Sequence, residues 1–284
     1  MKIVFNFVFT ILCPLTFFGQ DFYVQAQNEI KEKDYAQAEV IIKNHLKNNQ
    51  NDVRAKILLG EIYAYQKEWE KSSEVNKELV ESDENNADYH YRYGGTLGLW
   101  AKNASKFQAL FLLDDVKHHL KRAAELDTNH IDARWALIQL YMELPGIIGG
   151  SRKVSEKYAN QLLDISPVDA ALAKGYIETY DENYDQAEVH YKKAVELGQS
   201  TTTYQKLIDL YHKKNTFKKE LITLIEAYQQ THNAEFLQQL LEKDIKTQYL
   251  STRVRNKFQE LFRRENPQKD VQLLRKLQLK IDSI

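Results

Sequence analysis

The sequence predicts an all-α protein, a solenoid of helical hairpins stacked one on the next. Three observations carry this. Residue patterns recur 34 positions apart: Gly60 and Gly94, Tyr35 and Trp69, Ala38 and Ser72, Leu46 and Val80. Apolar residues within these stretches fall at helical spacing. Only ten glycines and four prolines serve 284 residues, too few for the turns of an all-β fold. With 43% apolar and 28% charged residues, the composition is that of an ordinary globular chain, long enough for one large domain or two.

The N-terminal segment, MKIVFNFVFTILCPLTFFGQ, has a basic start, an apolar middle and a small residue at its end. That pattern predicts a secretory signal peptide over 1–19, cut after Gly19 to leave Gln20 first. Phe17 departs from the small residue usual three places before the cut. Asn6 and Pro14 interrupt the apolar run, which is too short for a convincing membrane span. Cys13 is the sole cysteine. It follows Leu12 rather than a small residue, which argues against a lipoprotein signal. The mature chain then has no cysteine, no disulfide and no integral span. It is expected to be secreted across the inner membrane, to the periplasm.

The repeats come next. ILLGEIY (57–63) aligns with YRYGGTL (91–97), and DYAQAEVIIKNHL (34–46) aligns with EWEKSSEVNKELV (68–80). Leu207, Tyr211, Phe217, Leu224 and Ala227 fall at the same offsets, and ENYDQAEVHYKKAVEL (182–197) repeats the second-helix pattern. This resembles the tetratricopeptide repeat, a helix–turn–helix unit with small residues and aromatics at set places. Here Gly60, Tyr63, Ala187, Tyr191 and Ala194 fill those places, and Pro167 closes the fourth unit. The resemblance implies a right-handed superhelical solenoid over 20–232, with about six units beginning near 19, 53, 87, 131, 168 and 201. One hairpin cannot bury its apolar face alone, so units must stack.

The period is broken twice. Tyr63 and Tyr141 are 78 residues apart where two repeats need 68, so the third unit carries an insertion near 100–112. Phe107, Leu110 and Phe111 share one helical face there, and Leu113, Val116 and Leu120 another. The insertion is expected to be a longer or additional helix, with Phe107 and Phe111 filling the space above Gly94, Gly95 and Gly98. The other reading is an open pocket floored by Gly95 and Gly98. The second break is LPGIIGG near 144–150. Pro145 ends a helix, the glycines admit unusual φ, and Ser151 caps the next helix. Leu144, Ile147 and Ile148 are expected to tuck under this corner. A functional version would have Gly149, Gly150 and Ser151, with Arg152 and Lys153, hold an anion.

Beyond the repeats, 233–284 reads as amphipathic helices capping the solenoid. Apolar residues recur at Leu237, Leu240, Leu241 and Ile245, then at Val254, Phe258, Leu261 and Phe262, before the break at Asn266–Pro267. A membrane-surface helix over 267–282 is the alternative. Charge is uneven. Gln20–Gln199 holds 22 Lys/Arg against 30 Asp/Glu, and Ser200–Ile284 holds 16 against 10. Either the surface is simply solvated, or the basic tail docks on an acidic partner or anionic headgroups.

Catalytic signatures are missing from the sequence: no HExxH, GxSxG or phosphate-loop pattern occurs. Asp114 with His118, and Asp115 with His119, lie at i, i+4, a spacing that suits a metal but more often a solvated face. The histidines otherwise scatter, and no basic, aromatic-rich stripe suggests nucleic acid. No enzyme, cofactor or metal is expected. In the family resembled, places two, five, nine and twelve of each first helix face the groove. They include Arg54, Glu61, Asp88, Tyr91, Gly95, Gly98, Trp135 and Gln139. The expected function is a scaffold holding a peptide or helix of a partner protein, with Tyr91, Arg92 and Trp135 as anchors and Arg54, Glu61, Asp88 and Gln139 as polar contacts. The alternative is a small-molecule binder using the glycine-floored space.

Overall fold

The computed structural model describes residues 18–247, with side chains from 22 to 243. Residues 1–17 of the expected signal segment and the helices expected beyond Thr247 lie outside these residues, while Phe18 and Gly19, at the expected cut, fall in the first turn of α1. Every regular element among the described residues is helical: α1 (Phe18–Glu32), α2 (Tyr35–Asn48), α3 (Val53–Tyr65), α4 (Trp69–Ser82), α5 (Ala87–Asn103), α6 (Lys106–Leu126), α7 (Ile131–Glu143), a 3₁₀ turn (Gly146–Ile148), α8 (Arg152–Gln161), α9 (Pro167–Tyr180), α10 (Tyr184–Gly198), α11 (Thr201–Lys213), α12 (Phe217–Thr231) and α13 (Ala234–Thr247). They form two compact units, dividing after Ala133. Within the units α1 to α6, and α8 to α13, each pack against the next, as an all-α solenoid of hairpins requires.

Short polar residues start the helices. Asp52 accepts from the Ala55 N–H, Ser105 from Gln108 and Ser166 from Asp169, satisfying donors that the helix itself leaves unpaired. Ser200 and Thr203 form a reciprocal capping box. Pro167, expected to close a unit, instead opens α9 at its first position, where its missing N–H costs nothing.

Within four hairpins one turn recurs. Lys33, Lys67, Glu182 and Asn215 take left-handed φ of 65°, 62°, 61° and 54°. Each stands two residues before the aromatic that begins the second helix: Tyr35, Trp69, Tyr184 or Phe217. The following N–H reaches back five residues, Asp34 to Glu29, Glu68 to Tyr63, Asn183 to Glu178 and Thr216 to Tyr211. These bonds cap the first helix in the Schellman manner. The α5–α6 and α7–α8 hairpins, the two that break the sequence period, lack the turn.

In the first unit the core is built by Ala26, Ala38, Ile42, Ala55, Leu58, Leu59, Ile62 and Tyr63. In the second, Ala171, Leu172, Ala187, Tyr191, Ala194, Leu207, Leu210 and Tyr211 do the same. A second cluster there joins α12 to α13, whose Phe236, Leu237, Leu240 and Leu241 are buried. Small residues set the spacing. A Cβ on Gly175 of α9 would lie 2.4 Å from the Tyr191 ring on α10, and Ser72 Oγ donates to the Gly60 carbonyl at 2.8 Å.

Two expectations about packing need correction. The insertion lengthens α5 and α6, to 17 and 21 residues, but Phe107 and Phe111 do not fill the glycine space. They are 73% and 68% exposed and meet each other edge to face. Only the other stripe, Leu113, Val116 and Leu120, faces α5 and is buried. One helix cannot bury both stripes against a single neighbour. At the corner, Ile147 is 96% exposed rather than tucked in, because the 3₁₀ turn points it outward, while Leu144 and Ile148 are half-buried.

Candidate partner-binding faces on the first helices

The expected contact residues fall in both units. Arg54, Glu61, Asp88, Tyr91 and Arg92 belong to the first, and Trp135 and Gln139 to the second.

In the first unit the residues engage one another. Arg54 lies over the Tyr23 ring, 4.4 Å from its centre. Arg92 Nη1 donates to Glu61 Oε1 at 2.7 Å, bridging α5 to α3. Tyr91 packs against His130, with ring centres 5.0 Å apart. Burial, and then Asp132, push the Tyr91 hydroxyl above the usual tyrosine range. His130 is buried and accepts the Ala133 N–H through Nδ1. Its other nitrogen lies 3.3 Å from Asp88 Oδ1. The three neighbouring glycines differ. Gly94 is in close contact with α6, where a Cβ would meet His119 and Leu120 at 3.1 Å. Gly98 has Val116 at 3.7 Å, and Gly95 has open space above it. The glycines thus serve a close helix contact on one side of α5 and an unfilled surface beside Tyr91 and Arg92 on the other.

In the second unit an aromatic row runs from α7 to α9. Trp135 meets Tyr176 edge to face, with centres 6.4 Å apart, and Tyr176 meets Tyr180 at 6.2 Å. Trp135 Nε1 donates to Asp169 Oδ1 at 2.9 Å, and Ser166 Oγ donates to Asp169 Oδ2. Trp135 is half-buried against the α9–α11 core, which fixes its ring, while Gln139 on the same helix is exposed. The Tyr176 hydroxyl bonds to Glu143, and burial followed by that carboxylate raises its pKa well above the ordinary value. Asp169, Tyr176, Tyr180 and Glu143 were not among the expected residues. The signal for two of them was present: the same counting along the unit beginning at 168 gives Asp169 second and Tyr176 ninth.

The glycine corner is a built turn. Gly149 has φ 102°. The N–H groups of Gly149, Gly150 and Ser151 donate to the carbonyls of Gly146, Pro145 and Tyr141 at 3.1, 3.1 and 2.8 Å. Ser151 caps α8 through the Val154 N–H. Arg152 is engaged by Glu156, Glu178 and Asp181. The backbone donors of Gly149, Gly150 and Ser151 are therefore used inside the turn, and the Arg152 guanidinium is used by carboxylates of α8 and of the end of α9. Along α6, His118 and His119 meet ring to ring, and His119 Nδ1 lies 2.8 Å from His90 Nδ1. Among the described residues no three metal-binding side chains come together.

No protein-family model and no curated protein matches the sequence. Solved structures do. The chain is similar to TTC0263, a thermophilic TPR protein of Thermus thermophilus, with 16% identity over 69% of this chain and 97% of that one, and a TM-score of 0.54. It is also similar to a tetratricopeptide repeat protein of Parabacteroides merdae, with 14% identity over 86% of this chain and 98% of that one, and a TM-score of 0.51. Likeness at these identities shows the fold, that of the tetratricopeptide repeat.

Proposed function

We propose that this chain, whose hairpins have the tetratricopeptide-repeat fold, is an extracytoplasmic scaffold that holds a peptide or helix of a partner protein on its first-helix faces. The observation that carries the reading is the row of Trp135, Tyr176 and Tyr180, held by Asp169 and Glu143. Trp135 and Tyr176, half-exposed with their polar ends already fixed, lose little freedom on binding, and with Tyr180 they offer a large contact area. Trp, Tyr and Arg are also the types that most often carry interface energy. Within the second unit Gln139 adds a polar contact to that row; within the first unit Tyr91 and Arg92 serve as anchors, Arg54, Glu61 and Asp88 as polar contacts, and the open surface at Gly95 admits close approach of a partner backbone. Retaining a helical glycine there costs about 1 kcal/mol, and the helix packing gives no return for it.

The extracytoplasmic part rests on the sequence of residues 1–19. Among the described residues no helix is long and apolar enough to cross a membrane.

The test is affinity capture from the native cell envelope, comparing wild type with Tyr91→Ala/Trp135→Ala and with Tyr176→Ala, each checked for folding by circular dichroism. The reading expects one protein enriched by wild type and reduced at least tenfold by the variants. Folded variants that keep every partner would refute it.

A further inference from the structure

The insertion leaves a second surface, independent of the first-helix faces. Between residues 98 and 112, at the joined ends of α5 and α6, no side chain is buried. This part of the hairpin therefore stands clear of the core. It is nonetheless apolar: Leu99, Phe107, Leu110 and Phe111 are 46%, 73%, 50% and 68% exposed. Phe107, Leu110 and Phe111 follow one another at i, i+3 and i+4, and the two phenylalanine rings are in contact, 4.7 Å apart. Such side chains are normally buried, and a contiguous exposed patch of them marks a contact site.

Charge and shape identify the occupant. From Tyr89 to Leu113 the sequence has no carboxylate, although the chain as a whole has 40 acidic residues against 39 basic ones. The charged residues at the hairpin end are Lys102 and Lys106, both exposed. The apolar area on offer is on the order of 400 Å², judged from the size of aromatic and leucine side chains. That is roughly half of one partner's share of a standard protein interface, and it lies on a projecting end rather than in a groove. Phenylalanines and leucines that sink below the headgroups, with lysines extending to phosphates, combine the two weak attractions that peripheral membrane contact needs.

We propose that the α5–α6 end is a membrane-contact finger that inserts Phe107, Leu110 and Phe111 shallowly into an anionic bilayer, with Lys102 and Lys106 at the headgroups. It would set the scaffold against a membrane surface without spanning it.

The test uses the full chain with Gln108→Cys in a Cys13→Ser background. Gln108 is exposed beside the patch, and a polarity-sensitive fluorophore there reports the finger whatever else anchors the chain. Vesicles of phosphatidylglycerol and phosphatidylcholine should shift its emission to the blue. Pure phosphatidylcholine should shift it several-fold less, and about 0.5 M salt, on the order of tenfold more than the starting buffer, should reverse most of the change by screening. Phe107→Ser/Phe111→Ser should abolish the shift. The same label at Val189, 59% exposed on α10, should keep its aqueous emission. An unchanged label at 108 on anionic vesicles would overturn the proposal. So would a blue shift without vesicles that grows with protein concentration, which would assign the patch to contact between copies.

Discussion

One substitution, glycine to alanine, should act in opposite directions at two helical positions. In a helix interior, alanine is favoured over glycine by about 1 kcal/mol, because glycine loses more backbone freedom. At Gly95 of α5 an added Cβ meets nothing within 4 Å, so Gly95→Ala should gain close to that amount. At Gly175 of α9 the Cβ would lie 2.4 and 2.5 Å from two carbons of the Tyr191 ring. Tyr191 is only 4% exposed, so its ring cannot swing away, and overpacking of this kind costs roughly 1–3 kcal/mol. Contacts this short place the cost toward the upper end of that range, so after the propensity gain Gly175→Ala should lose up to about 2 kcal/mol. Because stacked repeats unfold in parts, the assay should be hydrogen exchange by mass spectrometry, read on α5 and α9 separately. Protection should rise severalfold in α5 for Gly95→Ala and fall about tenfold in α9 for Gly175→Ala. Tyr191→Leu should recover part of the second loss. The same sign at both sites would refute the packing described for α9 and α10.

Further outcomes follow from the same physics. Lys67→Gly should stabilise the α3–α4 hairpin by roughly 1 kcal/mol, since a non-glycine residue at φ 62° bears left-handed strain; an unchanged thermal midpoint would contradict it. Arg152→Ala should cost about 1–2 kcal/mol by stranding Glu178 on α9 and Asp181 at its C-cap. Arg152→Lys should restore little of it, because a compact ammonium lacks the planar fork whose three separate nitrogens each reach one carboxylate; full rescue in thermal melts would contradict this. Acid should weaken the fold in two steps. Burial, then His90, hold His119 down to about 4 from 6.5, so the unfolded chain takes up its proton first and stability falls between those values. At a half-buried site this amounts to roughly 1–2 kcal/mol after screening, and His119→Leu should flatten that part of a pH–stability curve. Burial alone would raise the Glu188 carboxyl, but hydrogen bonds from Lys219, Lys192, Lys214 and Tyr211 hold it at about 2. Its contribution is therefore present above about 4.5 and lost as the pH falls toward 2, and Glu188→Gln should remove this lower step.

The fold was legible because it is periodic. The 34-residue spacing, the small residues and the aromatics at Tyr63 and Tyr191 each restate one packing rule. Pattern alone also located both departures from the period. What pattern could not settle was where the inserted side chains go. Phe107, Leu110, Leu113 and Val116 are equally apolar, and only the single neighbour, α5, decides which stripe is buried. The corner shows the same limit: Ile147 is apolar, yet turn geometry turns it outward. At the candidate faces the residue types were readable, but their mutual engagement was not. The pairing of Arg92 with Glu61 and of Trp135 with Asp169 joins residues 31 and 34 positions apart. The left-handed turns at Lys33, Lys67, Glu182 and Asn215 carry no glycine to announce them.

The most direct test of the central claim is site-specific photocrosslinking in the native envelope, with a benzophenone side chain at Gln139 on α7 or at Val189 on α10. Both positions are exposed. The account predicts a discrete protein adduct from position 139, lost with Tyr176→Ala, and none from position 189. Adducts from 189 alone, or equal adducts from both positions that survive Tyr176→Ala, would contradict binding on the first-helix faces.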